Sequence, residues 1–140
     1  MTTSIDTNIF IALWDDLDTL NNRAQRSLDR VYSEGGLVIS GAVFAELVAG
    51  PQRSSRMIEQ FLDDTGISIE WNINERVWRS AGAAFQSYSR RRRKQKQSEP
   101  KRLLTDFIIG AHALENGHRL LTLDNRVFRA AFPKLSVLST

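Results

Sequence analysis

Apolar positions along this chain follow two alternating rhythms. Short apolar runs, several of them β-branched, predict strands at Thr3 to Asp6, Leu37 to Ile39, Ile67 to Trp71, Arg119 to Leu123 and Leu135 to Leu138. Helical spacing fills the intervals. It predicts helices over Asn8 to Trp14, from an Asp18-Thr19 cap through Leu20, Ala24, Leu28, Val31 and Tyr32, and from Ser40 or Gly41 to Ala49. Further helices are marked by Met57, Ile58, Phe61 and Leu62, by Asn74 to Gln95 with Val77, Ala81, Phe85 and Tyr88 on one face, by Asp106 to Asn116 behind a Thr105 cap, and by Asn125 to Ala131. Gly35-Gly36, Gly50-Pro51, Gly66, Ser98-Glu99-Pro100, Gly117 and Pro133 punctuate them.

Strands separated by helices imply parallel pairing through right-handed crossovers, with helices on both faces of the sheet. The expected fold is α/β, a three-layer α/β/α arrangement around a mostly parallel sheet of about five strands. Residues 1–140 read as a single domain without internal repeat or linker. In open sheets of this kind, ligands gather outside the carboxyl ends of the strands. Asp6 and Asp124 close two of the predicted strands, and Asp106 opens a helix that starts at the same edge. Glu46 is the sole polar side chain between Gly41 and Ala49, within about two turns of a helix beginning there.

Acids placed beside apolar segments are costly unless something compensates them, and acids that converge repel one another. A divalent cation is the simplest compensation. Mg²⁺ and Mn²⁺ take carboxylate oxygens, and one or two such ions activate water and stabilise charge on a phosphate during in-line displacement. The chain therefore reads first as a metal-dependent hydrolase that forms no covalent intermediate.

Composition narrows the partners. The net charge of +3 conceals a basic block, Arg90 to Arg102, with eight basic residues and one acid; in the remainder, acids outnumber bases. Such a block suits a polyanion, most directly nucleic acid, held through its phosphates at Arg90, Arg91, Arg92, Arg93, Lys94 and Lys96. Docking of an acidic protein segment and a solvated helix end are the other uses of such a run. With no cysteine, disulfides and thiolate sites are excluded. Met1-Thr2-Thr3-Ser4 lacks the flank of a secretory signal, and no apolar run approaches the roughly 20 residues that cross a bilayer. The expectation is a cytoplasmic protein without membrane contact.

Four pieces of the chain resemble a known family when taken together. They are Ile5-Asp6-Thr7-Asn8, Ser40 through Glu46-Leu47, Asp106-Phe107-Ile108-Ile109-Gly110-Ala111-His112-Ala113-Leu114, and Leu121-Thr122-Leu123-Asp124 followed by Phe128. In order and spacing they are similar to the PIN-domain ribonucleases, above all the VapC-type toxins of toxin–antitoxin pairs. The resemblance implies a Mg²⁺ or Mn²⁺ site ligated by Asp6, Glu46, Asp106 and Asp124, directly or through water, with Thr122 and Asn8 supporting the ligands. It implies endonucleolytic cutting of RNA, a homodimer, and inhibition by a small antitoxin. Leu123 is a departure, because the family often has a polar or basic residue there.

Three of these acids also have an ordinary use, whereas Glu46, among apolar neighbours, calls for a buried partner or a cation. Asp6 suits an N-cap, Asp106 the first turn of a helix, and Asp124 a turn. His112 and His118 read as structural rather than as ligands, and the Asp15, Asp16, Asp18 cluster as a polar turn without the spacing of a calcium loop. Trp14, Trp71, Trp78 and the phenylalanines read as core, with Phe10, Ile11 and Trp14 as candidates for a dimer face. Two other functions fit the same residues: an RNA-processing nuclease without an antitoxin, and a catalytically silent RNA-binding module.

Overall fold

The centre of the molecule is a strand that carries almost no polar side chain into water. In the computed structural model, which describes residues 1–51, 53–95 and 102–139, β1 (Thr3–Ile5) is buried along its whole length. Its neighbours β2 (Leu37–Ser40) and β4 (Arg119–Thr122) are buried at every position but Arg119. Strands covered on both faces read as continuous apolar runs rather than alternating ones, which is the pattern the sequence shows. With β3 (Ile67–Glu70) and β5 (Val137–Ser139) they form one sheet in the order β3-β2-β1-β4-β5, and every pairing is parallel.

Seven helices among the described residues complete the chain: α1 (Thr7–Leu13), α2 (Asn21–Glu34), α3 (Gly41–Ala49), α4 (Ser55–Thr65), α5 (Glu75–Lys94), α6 (Leu104–Glu115) and α7 (Asn125–Ala131). The chain steps outward from β1 to β2 and β3, then crosses back to β4 and β5 on the far side of β1. Right-handed crossovers then place α1 to α4 on one face and α5 to α7 on the other. The packing agrees: α5, α6 and α7 contact one another, as do α1 and α2. The order reverses between β1 and β4, which is where such sheets open a crevice at their carboxyl ends.

Local chemistry explains the element ends. The Ser40 and Ser54 hydroxyls accept from the N–H groups of Val43 and Met57, and the Asn74 side chain accepts from Val77, so α3, α4 and α5 each start on a capped turn. Gly66 ends α4 in the left-handed region at φ 71°, a conformation that costs a side chain dearly. Between α5 and α6, Phe107 meets Phe85 edge-on at 5.0 Å and Tyr88 at 5.4 Å, and this aromatic seam fixes the helix that carries Asp106.

Several details differ from the sequence expectation. Thr105 does not cap α6; the helix begins at Leu104, its N-cap is Leu103 without a side-chain bond, and Thr105 lies inside the first turn. β5 starts at Val137 because the Leu135 N–H is spent on the Phe132 carbonyl. Trp71 and Trp78 are not core: they are 59% and 51% exposed. Trp71 lies beyond the end of β3 with its edge on Phe44, and Trp78 occupies an exposed position of α5. Phe10 is fully buried and unavailable to a dimer face, whereas Ile11 is exposed. The predicted break at Ser98-Glu99-Pro100 lies outside the described residues.

Gly110 of α6 packs against the rings of Phe128 in α7 and Phe132 at its end. A Cβ there would stand 2.4 Å from the buried Phe132 ring and 3.1 Å from Phe128. Gly110→Ala is expected to lower stability by roughly 1–3 kcal/mol through overpacking, read from the urea midpoint at unchanged m-value. A midpoint equal to wild type would contradict this packing.

Candidate metal centre

The end of β1 carries an acid into the crevice because α1 must start there. Asp6 directly follows β1 and is the N-cap of α1, its Oδ1 accepting from the Thr7 N–H at 2.8 Å. Its own N–H pairs with the Leu121 carbonyl, which ties it to β4. The same residue thus fills the ordinary capping role and lines the pocket. It is only 5% exposed, a costly position for a charged group.

Thr122, the last residue of β4, fixes the orientation of Asp6. Its hydroxyl accepts from the Asn8 amide at 3.3 Å and from the Asp124 N–H at 3.0 Å, so both lone pairs are used. Its single proton goes to Asp6 Oδ2, at 2.8 Å. Asn8 is oriented in turn, because its Oδ1 accepts from the Leu123 N–H at 3.2 Å. Thr7 does the same for Glu46: its hydroxyl donates to Oε1 at 2.6 Å, bridging α1 and α3 across 39 residues. Nothing in the sequence singles out Thr7 for this part, apart from its place immediately after Asp6.

Asp106 and Glu46 stand close enough to Asp6 for their charges to act on it. Burial pushes the Asp6 carboxyl up to about 6; the charges of Asp106 and Glu46 push the same way, while the hydrogen bonds from Thr122 and Thr7 oppose. Burial also raises Asp106, against the pull of the Arg102 guanidinium and a backbone hydrogen bond at Leu103. Asp124 sits at the N-cap position of α7 but makes no side-chain cap bond there; its carboxylate pairs with Arg102. In the sequence Arg102 is only one member of the basic block, yet it faces the acids.

The donor chemistry suits a hard divalent ion. Each Asp6 oxygen takes one of the two hydrogen bonds and keeps a lone pair, and the Glu46 and Asp106 carboxylates lie alongside. The spacing is looser than a closed cage: among the described residues, no three acidic, imidazole or thiol groups stand close enough together to grip an ion. The carboxylates would have to draw inward around one. The pocket is thus built of acids oriented by neutral hydroxyl and amide groups.

The histidines form a cluster of their own. His112 Nε2 and His118 Nε2 lie 3.2 Å and 2.8 Å from Glu70 Oε1. His112 is buried, and burial lowers its pKa, against Glu70 and in the same direction as His118. Among the described residues its Nδ1 has no partner, so the neutral ring carries its proton on Nε2 and donates to Glu70. The Glu70 to His118 pairing spans 48 residues and left no mark in the sequence.

Of the predicted basic contacts, Arg90, Arg91, Arg93 and Lys94 are placed at the end of α5, and Arg92 lies over the Tyr88 ring at 6.0 Å. Lys96 lies outside the described residues.

Comparison with known proteins gives the same picture of the fold. A family model described as PIN domain matches residues 4–133. Among solved structures, the chain is similar to VapBC-1 from nontypeable Haemophilus influenzae, at 24% identity and a TM-score of 0.71 over 99% of this chain and 98% of that one. It is similar to a toxin–antitoxin complex from Klebsiella pneumoniae, at 22% identity and a TM-score of 0.66 over 98% and 96% of the two chains. It is also similar to Mycobacterium tuberculosis VapC20, a Sarcin-Ricin loop cleaving toxin, at 17% identity and a TM-score of 0.59 over 93% and 95%. At these identities the likeness is one of fold. No curated protein matches the chain in sequence.

The raised Asp6 pKa sets a pH dependence. The folded chain binds this proton more tightly than the unfolded chain, whose value is 3.8, so the contribution to stability is complete below that value and is lost as pH rises through about 6. In chelator, Asp6→Asn is therefore expected to gain on wild type between about pH 4.5 and 7.5, by on the order of 2 kcal/mol. Paired urea titrations across that range test it; a difference that stays flat would refute the buried, repelled carboxylate.

Proposed function

We propose that this chain, which belongs to the PIN-domain family, is a divalent-metal-dependent endoribonuclease acting as the toxin of a toxin–antitoxin pair. What supports the nuclease reading is a buried Asp6 at the carboxyl edge of the sheet, whose pKa is raised by burial and then by the charges of Asp106 and Glu46. A structural role alone would favour neutral side chains at that point. PIN domains are generally nucleases, which supports the reaction class.

Asp6, Glu46 and Asp106 would hold the ion, Mg²⁺ or Mn²⁺, with Asp124 at the rim. When bound, the ion supplies Lewis acidity toward water and toward the phosphate oxygens. The rest falls to this chain's own groups. Thr122 and the Thr7 N–H keep both Asp6 oxygens pointed into the crevice, and the Thr7 hydroxyl holds Glu46 there before any ion arrives. That preorganisation is the protein's main contribution, because the ligands need no search for their orientation. Arg90, Arg91, Arg93 and Lys94 at the end of α5 suit an RNA backbone, which they would bind through phosphates without reading bases.

The toxin reading draws on the complexes the fold resembles, VapBC-1 and a toxin–antitoxin pair. Surface chemistry also favours a protein partner. Ala45, Val48 and Ala49 leave one side of α3 apolar and exposed. A groove of about 420 Å³, lined by Trp14, Pro51, Arg53, Met57, Ile58 and Phe61, opens on the same side of the sheet. Apolar surface of this kind marks interaction sites in soluble proteins. A second copy of the chain and a small antitoxin are the two partners proposed.

Two experiments test this. Incubated with total RNA, wild type is expected to cleave with Mn²⁺ and to stop in chelator. Asp6→Asn should lose at least ~100-fold in rate while keeping its circular dichroism spectrum. Undiminished cleavage by Asp6→Asn rejects the site. Replacing Arg90, Arg91, Arg93 and Lys94 with Gln is expected to weaken RNA binding across sequences and to flatten the dependence of log K on log salt, by about 0.7 for each phosphate no longer neutralised. An unchanged slope would assign the basic helix end to another task.

A further inference from the structure

Among the described residues of the Arg90 to Arg102 block, Arg102 is the one whose side chain pairs with an acid of the pocket. It stands two residues before the start of α6, and Asp106 lies in the first turn of that helix. Its Nη2 pairs with Asp124 Oδ2, and its charge also reaches Asp106. A single guanidinium thus sits between two of the four acids, which come from elements on either side of β4. We propose that Arg102 is a built-in competitor for the divalent ion, occupying Asp124 and screening Asp106, so that it weakens metal binding at the pocket.

The chemistry favours competition over simple neutralisation. A guanidinium cannot shed its proton, so it remains charged whatever the pocket holds. Both partners are about one-third exposed, Arg102 at 35% and Asp124 at 34%. A pair that open is weak on its own and can be displaced. A doubly charged ion entering beside it meets both repulsion and an Asp124 carboxylate already engaged. Once displaced, Arg102 is left at the rim of the pocket with a free fork of donors, which suits a phosphate oxygen. The residue therefore sets how much metal the site requires, and does so through Asp124 first and Asp106 second.

This rests on the reading of Asp6, Glu46 and Asp106 as the metal holders, and the test separates the two. Mn²⁺ is titrated into wild type, Arg102→Gln, Arg102→Lys, Asp6→Asn, Asp124→Asn and the Arg102→Gln/Asp124→Asn double variant, and the free ion is followed by its paramagnetic resonance signal. Arg102→Gln is expected to bind Mn²⁺ about 10-fold more tightly than wild type, an effect of removing one nearby, partly solvated charge. Arg102→Lys keeps the charge and should stay within about 3-fold of wild type. In the Asp124→Asn background the gain from Arg102→Gln should fall to about 3-fold or less, because the main site of competition is gone. Equal or weaker binding by Arg102→Gln, or a full gain that survives Asp124→Asn, overturns the proposal while leaving the metal centre standing. If neither wild type nor Arg102→Gln binds Mn²⁺ in a way that Asp6→Asn abolishes, the metal centre fails and this role falls with it.

Discussion

A hydroxyl at the end of one strand and a carboxylate at the end of the next hold each other where the sheet reverses its order. The Thr122 to Asp6 hydrogen bond closes the crevice between β4 and β1, and the acid it orients also starts α1. Three demands meet on Asp6. It must cap a helix, accept a hydrogen bond from β4, and remain ionisable in a place that burial makes hostile to charge. The two hydrogen bonds lower the cost without removing it, since the carboxyl is still pushed up to about 6. The chain retains, at its most buried edge, a group that pure stability would replace.

Around that point the protein supplies direction more than charge. Asn8, Thr7 and Thr122 are neutral, and each has its hydrogen bonds assigned by its neighbours. Neutral supports suit a site meant to attract a cation, because they fix the acids without competing for them. Arg102 departs from that rule by pairing with Asp124. The two halves of the pocket therefore differ: hydroxyls donate to Asp6 and Glu46, while Arg102 pairs with Asp124 and its charge reaches Asp106.

Much of the fold was legible in the sequence because its signals are local. Buried parallel strands print as unbroken apolar runs, and Ser40, Ser54, Asn74 and Gly66 mark helix ends by chemistry confined to a single turn. Of the site, the positions of the acids at strand and helix ends could be read in the same way. What could not be read is pairing at long range. The Thr7 to Glu46 bond spans 39 residues, and the Glu70 to His118 pairing 48; neither leaves a periodic trace. The two exposed tryptophans depart from expectation for a related reason. Hydrophobicity favours burial, but whether a neighbour arrives to cover Trp71 or Trp78 is decided by elements elsewhere in the chain.

The crossing from β3 back to β4 has a consequence in time as well as space. Asp6 lies near the start of the chain, and the hydroxyl that orients it comes 116 residues later. A polypeptide emerges amino end first, so β1 must wait for its second neighbour until β4 has been made. Until then Asp6 lacks the hydroxyl that orients it. The pocket's most buried acid is therefore oriented only once β4 has been made and has docked beside β1.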